Sequence, residues 1–275
     1  MSNRANFHTP GRHTEAAGGA RDARTLILCL DTATEKRSVA VFRGPEQLAL
    51  RARDLRADGA SGVLRDVDEA LRAAGVPLRE VELFAACTGP GSFTGLRSGL
   101  ATVKALSKTL RRPAVGVPTL HAVASHAGPS ERLFALLPAG RGEVFAQMLR
   151  VTREGSIEEL EPPAHVAPAA LLERAAAVAR NGLRWAGSGS VMLAEMIRAR
   201  ALAEGIELDE RGEGGASGWT LAATPRTVAD HVAALALEAF RQGRVVAAEE
   251  LRAVYVRPSD AEMKEQCRLP ADTAR

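Results

Sequence analysis

The chain is short of aromatic residues, which fill 4% of its 275 positions, and it has only three cysteines. A core of ordinary size must therefore be built from Ala, Leu and Val, and the length allows one large domain or two smaller ones. Cys29, Cys87 and Cys267 are odd in number and far apart, and the first two lie in apolar runs. That distribution points to buried thiols in a reducing compartment, not to a disulfide framework or a zinc site. No apolar stretch reaches the length of a membrane span. Residues 1–24 lack the apolar segment of a signal peptide and read as a disordered extension, so a cytoplasmic location is expected. The formal net charge is +3, and the first 24 residues supply four arginines against Glu15 and Asp22. The body is thus almost neutral, which argues against tight free-standing nucleic-acid binding.

Several chemical signatures are missing as well. The turn Gly89-Pro90-Gly91-Ser92-Phe93-Thr94-Gly95 has no Lys-Ser/Thr pair, which excludes Walker chemistry, and its third glycine falls one residue late for a dinucleotide fingerprint. No serine sits in Gly-x-Ser-x-Gly, so serine hydrolase chemistry has no anchor. His121 and His126 are five apart, and at ~100° per residue they point away from each other on one helix. No metal site is expected from them. His165 and His231 stand alone and read as surface or core histidines.

What is present is organised around residues 88–100. An apolar run from Val81 to Cys87 enters the Gly/Pro turn, and an amphipathic helix leaves it, extending to about Leu110. Ser92 or Thr94 can cap that helix. Leu96, Leu100, Val103 and Leu110 form an apolar stripe, while Gly95 and Gly99 leave a separate strip without side-chain bulk. A strip of that kind permits close approach of another helix. Internal packing and a partner surface are equally compatible with it.

The first half reads as strands at 25–30, 38–42, 47–51 and 114–117 around a helix at 60–74 that Gly75 and Pro77 end. A similar plan then recurs. An apolar run at 133–137 leads to a turn at 138–142, a second run at 144–149, helices at 169–179 and 191–203, and a short strand at 183–186. Thr224-Pro225 reads as a helix start with Val228, Val232, Leu235 and Ala239 on its inner face. Residues 254–257 read as a last strand, and the tail beyond Pro258 as loose. Laid over one another, the halves place Asp31 opposite Pro138. Two strand-turn-strand openings, each followed by helices, indicate an α/β fold of two tandem halves with mixed sheets, 25–118 and 119–258. The Asp31-Thr32-Ala33-Thr34 turn suits a magnesium–phosphate group, with Asp31, Thr32 and Thr34 as contacts, or equally an aspartate that caps its own turn.

Leu30-Asp31-Thr32-Ala33-Thr34-Glu35 with Ser38-Val39-Ala40 resembles the opening of the bacterial TsaB (YeaZ) family. The run from Gly89 to Arg97 with Gly99-Leu100 is similar to that family's most distinctive stretch. Val115-Gly116-Val117-Pro118-Thr119-Leu120, Gly142-Glu143-Val144-Phe145 and Tyr255-Val256-Arg257 follow in the family's order. One departure is Pro138-Ala139-Gly140-Arg141, where many members carry an acid-Ala-Arg run. The resemblance implies two subdomains of the actin/hsp70 ATPase fold. It implies a non-catalytic subunit of the machinery that makes N6-threonylcarbamoyladenosine at position 37 of tRNA. Its implied partners are the catalytic transferase TsaD and the ATPase TsaE, with tRNA met only through the complex and self-pairing through the same helix left open. The implied partner interface is Ser92, Phe93, Thr94, Gly95, Leu96, Arg97, Gly99 and Val103. The chain is expected to have no catalytic residues, metal or cofactor of its own, with ATP or ADP and magnesium a candidate at the joint with the partner. Two other readings remain open, an actin-fold ATPase or kinase using Asp31, and a metallopeptidase-like protein.

Overall fold

The computed structural model describes residues 24–54, 62–178, 182–212 and 218–256. The expected extension before Arg24, the tail beyond Pro258, Arg257 and Cys267 lie outside the described residues.

The first half opens with an antiparallel meander, β1 (Leu26–Asp31), β2 (Lys36–Arg43) and β3 (Glu46–Asp54). After α1 (Val63–Ala74), strand β4 (Leu83–Gly89) lies parallel to β1. Helix α2 (Phe93–Leu110) then returns the chain to β5 (Ala114–Pro118), parallel to β4. The sheet order is β3-β2-β1-β4-β5. Gly75 closes α1 in the left-handed conformation expected of a glycine just past a helix end.

The second half repeats the plan. Helix α3 (Thr119–Ala127) leads into the antiparallel pair β6 (Ser130–Gly140) and β7 (Glu143–Val151), with β8 (Ile157–Glu159) and β9 (Ala164–Val166) sharing the far edge of β7. Helix α4 (Pro168–Val178) precedes β10 (Leu183–Ala186), which runs parallel to β6. Then come α5 (Ser188–Met192), α6 (Ala194–Ala203), β11 (Leu208–Asp209) and β12 (Trp219–Leu221). From β8 inward the order is β8-β7-β6-β10-β12-β11, the first sheet's order with one added edge strand. Two sheets with the same meander and the same parallel extension make the duplicated topology of the actin/hsp70-type fold.

Helix α7 (Ala229–Arg241), the last helix among the described residues, packs against β1 of the first sheet. Helices α3 and α7 lie between the two sheets. Their Leu120, Val123, Val232 and Ala236 share one apolar cluster with Ile27, Cys29 and Ala85 of the first sheet and with Leu133, Ala135 and Leu149 of the second. The alternate residues Leu28 and Leu30 of β1 face outward onto α1 and α2. The outer face of the second sheet holds both tryptophans, Trp185 stacking on Phe134 at 5.4 Å and meeting Trp219 edge-on at 5.2 Å.

Four local expectations need correction. The turn at 138–142 is shorter: Pro138 belongs to β6, paired with Val144, and only Arg141 and Gly142 turn the chain. Both have positive φ (52° and 78°), the backbone that a two-residue hairpin with the right twist requires. The helix at 191–203 breaks at the buried Leu193 into α5 and α6. The last helix starts at Ala229, not at Thr224-Pro225, because Thr224 to Val228 form the wall of a cleft. Residues 254–256 form no strand, and Val254 gives β4 a single hydrogen bond, its N–H donating to the Thr88 carbonyl at 2.7 Å.

Candidate functional site

The turn after β1 and the turn after β4 are built against each other. Asp31, the last residue of β1, has no exposed surface, and its carboxylate accepts from the backbone N–H of Ala33 (2.8 Å) and Thr34 (3.2 Å) and from the Thr34 hydroxyl. Burial pushes its pKa up, and these hydrogen bonds, with one from the Cys87 thiol, oppose that shift. Burial and the nearby Asp31 charge push the Cys87 thiol up in turn. Thr32 is buried too, whereas Thr34 is partly open. This is the aspartate that caps its own turn. A carboxylate without exposed surface presents no oxygen to an outside cation.

Three glycines, Gly91, Gly95 and Gly99, make room for the first turn. Ser92 N–H donates to the Ala33 carbonyl at 2.8 Å, and a Cβ on Gly91 would run into that same carbonyl. Side-chain bulk on Gly95 would strike the Thr32 carbonyl, and on Gly99 the Thr32 hydroxyl. The bare strip is therefore filled from within. Gly95, Leu96, Gly99 and Val103 are buried in the chain itself. Ser92 caps α2, its hydroxyl accepting from Gly95 N–H at 3.2 Å.

Of the expected interface residues, Ser92, Thr94 and Arg97 are exposed and Phe93 half-buried. Phe93 packs against Tyr255 with ring centres 5.2 Å apart and the rings tilted by 41°, and the Arg97 guanidinium lies 3.9 Å from the centre of the Phe93 ring. Arg97 Nε also reaches the Tyr255 hydroxyl at 3.5 Å. Tyr255 is 48% exposed and Val254 beside it 43%. Residues 254–257 read as a strand from sequence, and no spacing rule links Tyr255 to a helix that starts 162 positions earlier. Only its place in the resembled motif marked it.

A second feature is a cleft of about 710 Å³ between the halves. Its walls come from Thr34, Glu35 and Lys36 of the first hairpin, Pro138 and Gly140 of the second, Gly187 and Ser188, and the stretch from Thr224 to Val228. The residues that match in the duplicated plan thus face one another, with Thr34 in place of Asp31. Among the described residues, no group of three or more His, Cys, Asp and Glu side chains converges as a metal site. His121 lies against Glu159 at 2.9 Å and His126 against His231 at 3.1 Å, so the two histidines of α3 serve different neighbours.

Comparison with known proteins agrees with this architecture. Residues 61–209 match the family model described as TsaD: tRNA N6-adenosine threonylcarbamoyltransferase. The tRNA threonylcarbamoyladenosine biosynthesis protein TsaB of Haemophilus influenzae is 35% identical over 133 residues, 45% of this chain and 54% of that protein. The Escherichia coli protein of the same name is 33% identical over 127 residues, 43% of this chain and 52% of that protein. The alignments thus span about half the length of these relatives. A crystal structure described as an uncharacterized protein with similarity to peptidase YeaZ from Pseudomonas aeruginosa matches with a TM-score of 0.66 at 27% identity, over 85% of this chain and all of that one. With that family model matching more than half of this chain and the YeaZ-like fold covering 85% of it, the chain belongs to the family of that model and, within it, to the TsaB (YeaZ) group.

Proposed function

We propose that the chain is a scaffolding subunit in the synthesis of N6-threonylcarbamoyladenosine on tRNA, seated on a catalytic transferase of the TsaD kind. The observation that carries this reading is the preassembled surface at the start of α2, where Phe93, Arg97 and Tyr255 hold one another in an exposed cluster. Aromatic and arginine side chains fixed before contact lose little entropy on docking and are the residue types that anchor interfaces. Ser92 and Thr94 flank the cluster, and the surface is thus Ser92, Phe93, Thr94, Arg97 and Tyr255.

The chain itself is read as non-catalytic. Asp31, the carboxylate on which an ATPase or kinase reading depends, is turned inward with its oxygens engaged by its own turn. Asp31 and Thr32, so engaged and buried, do not fit a magnesium-bound nucleotide. The partner supplies the transfer chemistry, an ATPase of the TsaE kind joins the assembly, and tRNA is met through the complex. A nucleotide at the joint would be held without Asp31 or Thr32.

The test is reconstitution with the transferase from the same cell. Transferase activity and co-elution are expected to require this chain and to fall together when Arg97→Ala and Tyr255→Ala are combined. Full activity of the transferase alone would overturn the scaffold role. Unchanged co-elution of the double variant would overturn the surface.

A further inference from the structure

Helices α3 and α7 meet at a histidine pair that the proposed function does not use. His126 Nδ1 lies 3.1 Å from His231 Nε2, with the rings edge-on and their centres 5.1 Å apart. The other nitrogen of His231, Nδ1, lies 3.0 Å from Ser125 Oγ. Asp230 Oδ2 stands 3.5 Å from His231 Nε2. Since α7 packs on the first sheet and α3 on the second, this contact joins the two halves.

We propose that the His126–His231 pair is a proton-sensitive latch on the seam between the two halves, closed while the pair holds at most one proton beyond its neutral form and released when it takes a second. The bond between the rings needs one N–H and one lone pair. Two tautomeric arrangements supply this when both rings are neutral, with Ser125 Oγ accepting from or donating to His231 Nδ1 accordingly. One added proton is also accommodated, with His231 donating from both nitrogens, to Ser125 and to His126. A second proton puts N–H against N–H and two like charges about 3 Å apart, which repel.

The other charged groups around the latch are few. Asp230 favours the first proton. Arg184 of β10 donates to the Ala127 carbonyl at the end of α3 and opposes positive charge there. His121, one turn back on α3, is engaged by Glu159 of β8. Burial holds His231 below its ordinary value of 6.5, against the pull of Asp230, and the neighbouring His126 adds a smaller push in the same direction as burial. A depressed imidazole pKa means that the unfolded or opened form binds the proton more readily. The first added proton is held within the closed pair, and the seam weakens as acid drives on the second.

The test is amide hydrogen exchange on the full chain at pH 7.5 and pH 5.0, corrected for the intrinsic pH dependence of exchange. Protection of residues 119–127 and 229–241 is expected to drop by about tenfold or more at the lower pH, the effect of one unit of pKa. Residues 93–110 should keep theirs. His126→Gln and His231→Gln, each alone, should remove the difference between the two pH values. An acid response that is equal in the variants, or equal in α2, overturns the latch. Should either variant fold poorly, the unaltered chain decides by NMR. Two imidazoles titrating in separate steps support the shared proton, and two titrating together overturn it.

Discussion

Thr32 closes over Gly99, with its hydroxyl where a Cβ on that glycine would have to lie, and its carbonyl blocks Gly95 in the same way. The two obstacles differ in kind, one a side chain and the other backbone. Gly99→Ala is expected to destabilise the fold by ~1–3 kcal/mol, the usual cost of overpacking. Adding Thr32→Ala should restore part of that, because the clashing Oγ1 goes and Cβ remains at 3.2 Å. Gly95→Ala should cost at least as much and gain nothing from Thr32→Ala. Urea midpoints of the five chains check this, and rescue of Gly95→Ala would show that the backbone contact is not the obstacle.

This pair also shows how far the sequence could be read. The glycine spacing marked a strip without bulk, and periodicity can say that much, because it places residues on faces. It cannot say what lies across a face. The occupant, Thr32, comes from a turn more than 60 residues earlier. Asp31 had the same limit, since a carboxylate that ends a buried strand has one sequence whether it points outward or caps its turn. The duplicated sheet was legible because each meander is local, whereas the placement of α7 on the first sheet is not. Its start was misread because Thr224-Pro225 carries a helix-start signal and is used instead in the cleft wall.

Arg37 of β2 is buried and donates from Nε to the buried Asp66 of α1 at 2.6 Å, and Arg53 of β3 donates to the other Asp66 oxygen at 2.7 Å. Removing one partner of a buried ion pair is strongly destabilising, and here the lost carboxylate serves two arginines. Asp66→Ala is expected to cost ~3–5 kcal/mol. Glu69→Ala, at a partly exposed site that also meets Arg53, should cost about 1 kcal/mol or less. Chemical denaturation measures both, and similar losses would mean that Arg37 finds another partner when Asp66 is gone.

The cluster at the start of α2 should separate binding from folding. An arginine over an exposed aromatic ring contributes ~0.5–1 kcal/mol. Tyr255→Ala and Arg97→Ala are therefore expected to lower the thermal midpoint only slightly. Desolvated against a partner, the same residues should matter more, with affinity for the transferase falling tenfold or more, about 1.4 kcal/mol. Calorimetry of binding beside thermal melts distinguishes the cases. A large fall in the midpoint with unchanged affinity would make the cluster part of the fold alone.

Asp31 gives a pH dependence whose sign can be worked out. Its folded pKa lies above the ordinary value of 3.8, chiefly through burial. Below 3.8 the group is protonated in both states and contributes no difference. As pH rises past that value, the unfolded chain gives up its proton first, the folded chain binds more protons, and stability falls until the folded group also ionises. Asp31→Asn cannot ionise, but it loses an acceptor for the Thr34 hydroxyl or for the turn N–H groups at every pH. The stability of the unaltered chain minus that of the variant is therefore expected to decrease from pH 4 to pH 7, measured as urea unfolding at matched ionic strength. A difference that grows with pH would mean that the Ala33 and Thr34 hydrogen bonds outweigh burial. The carboxylate would then be held ionised inside the turn.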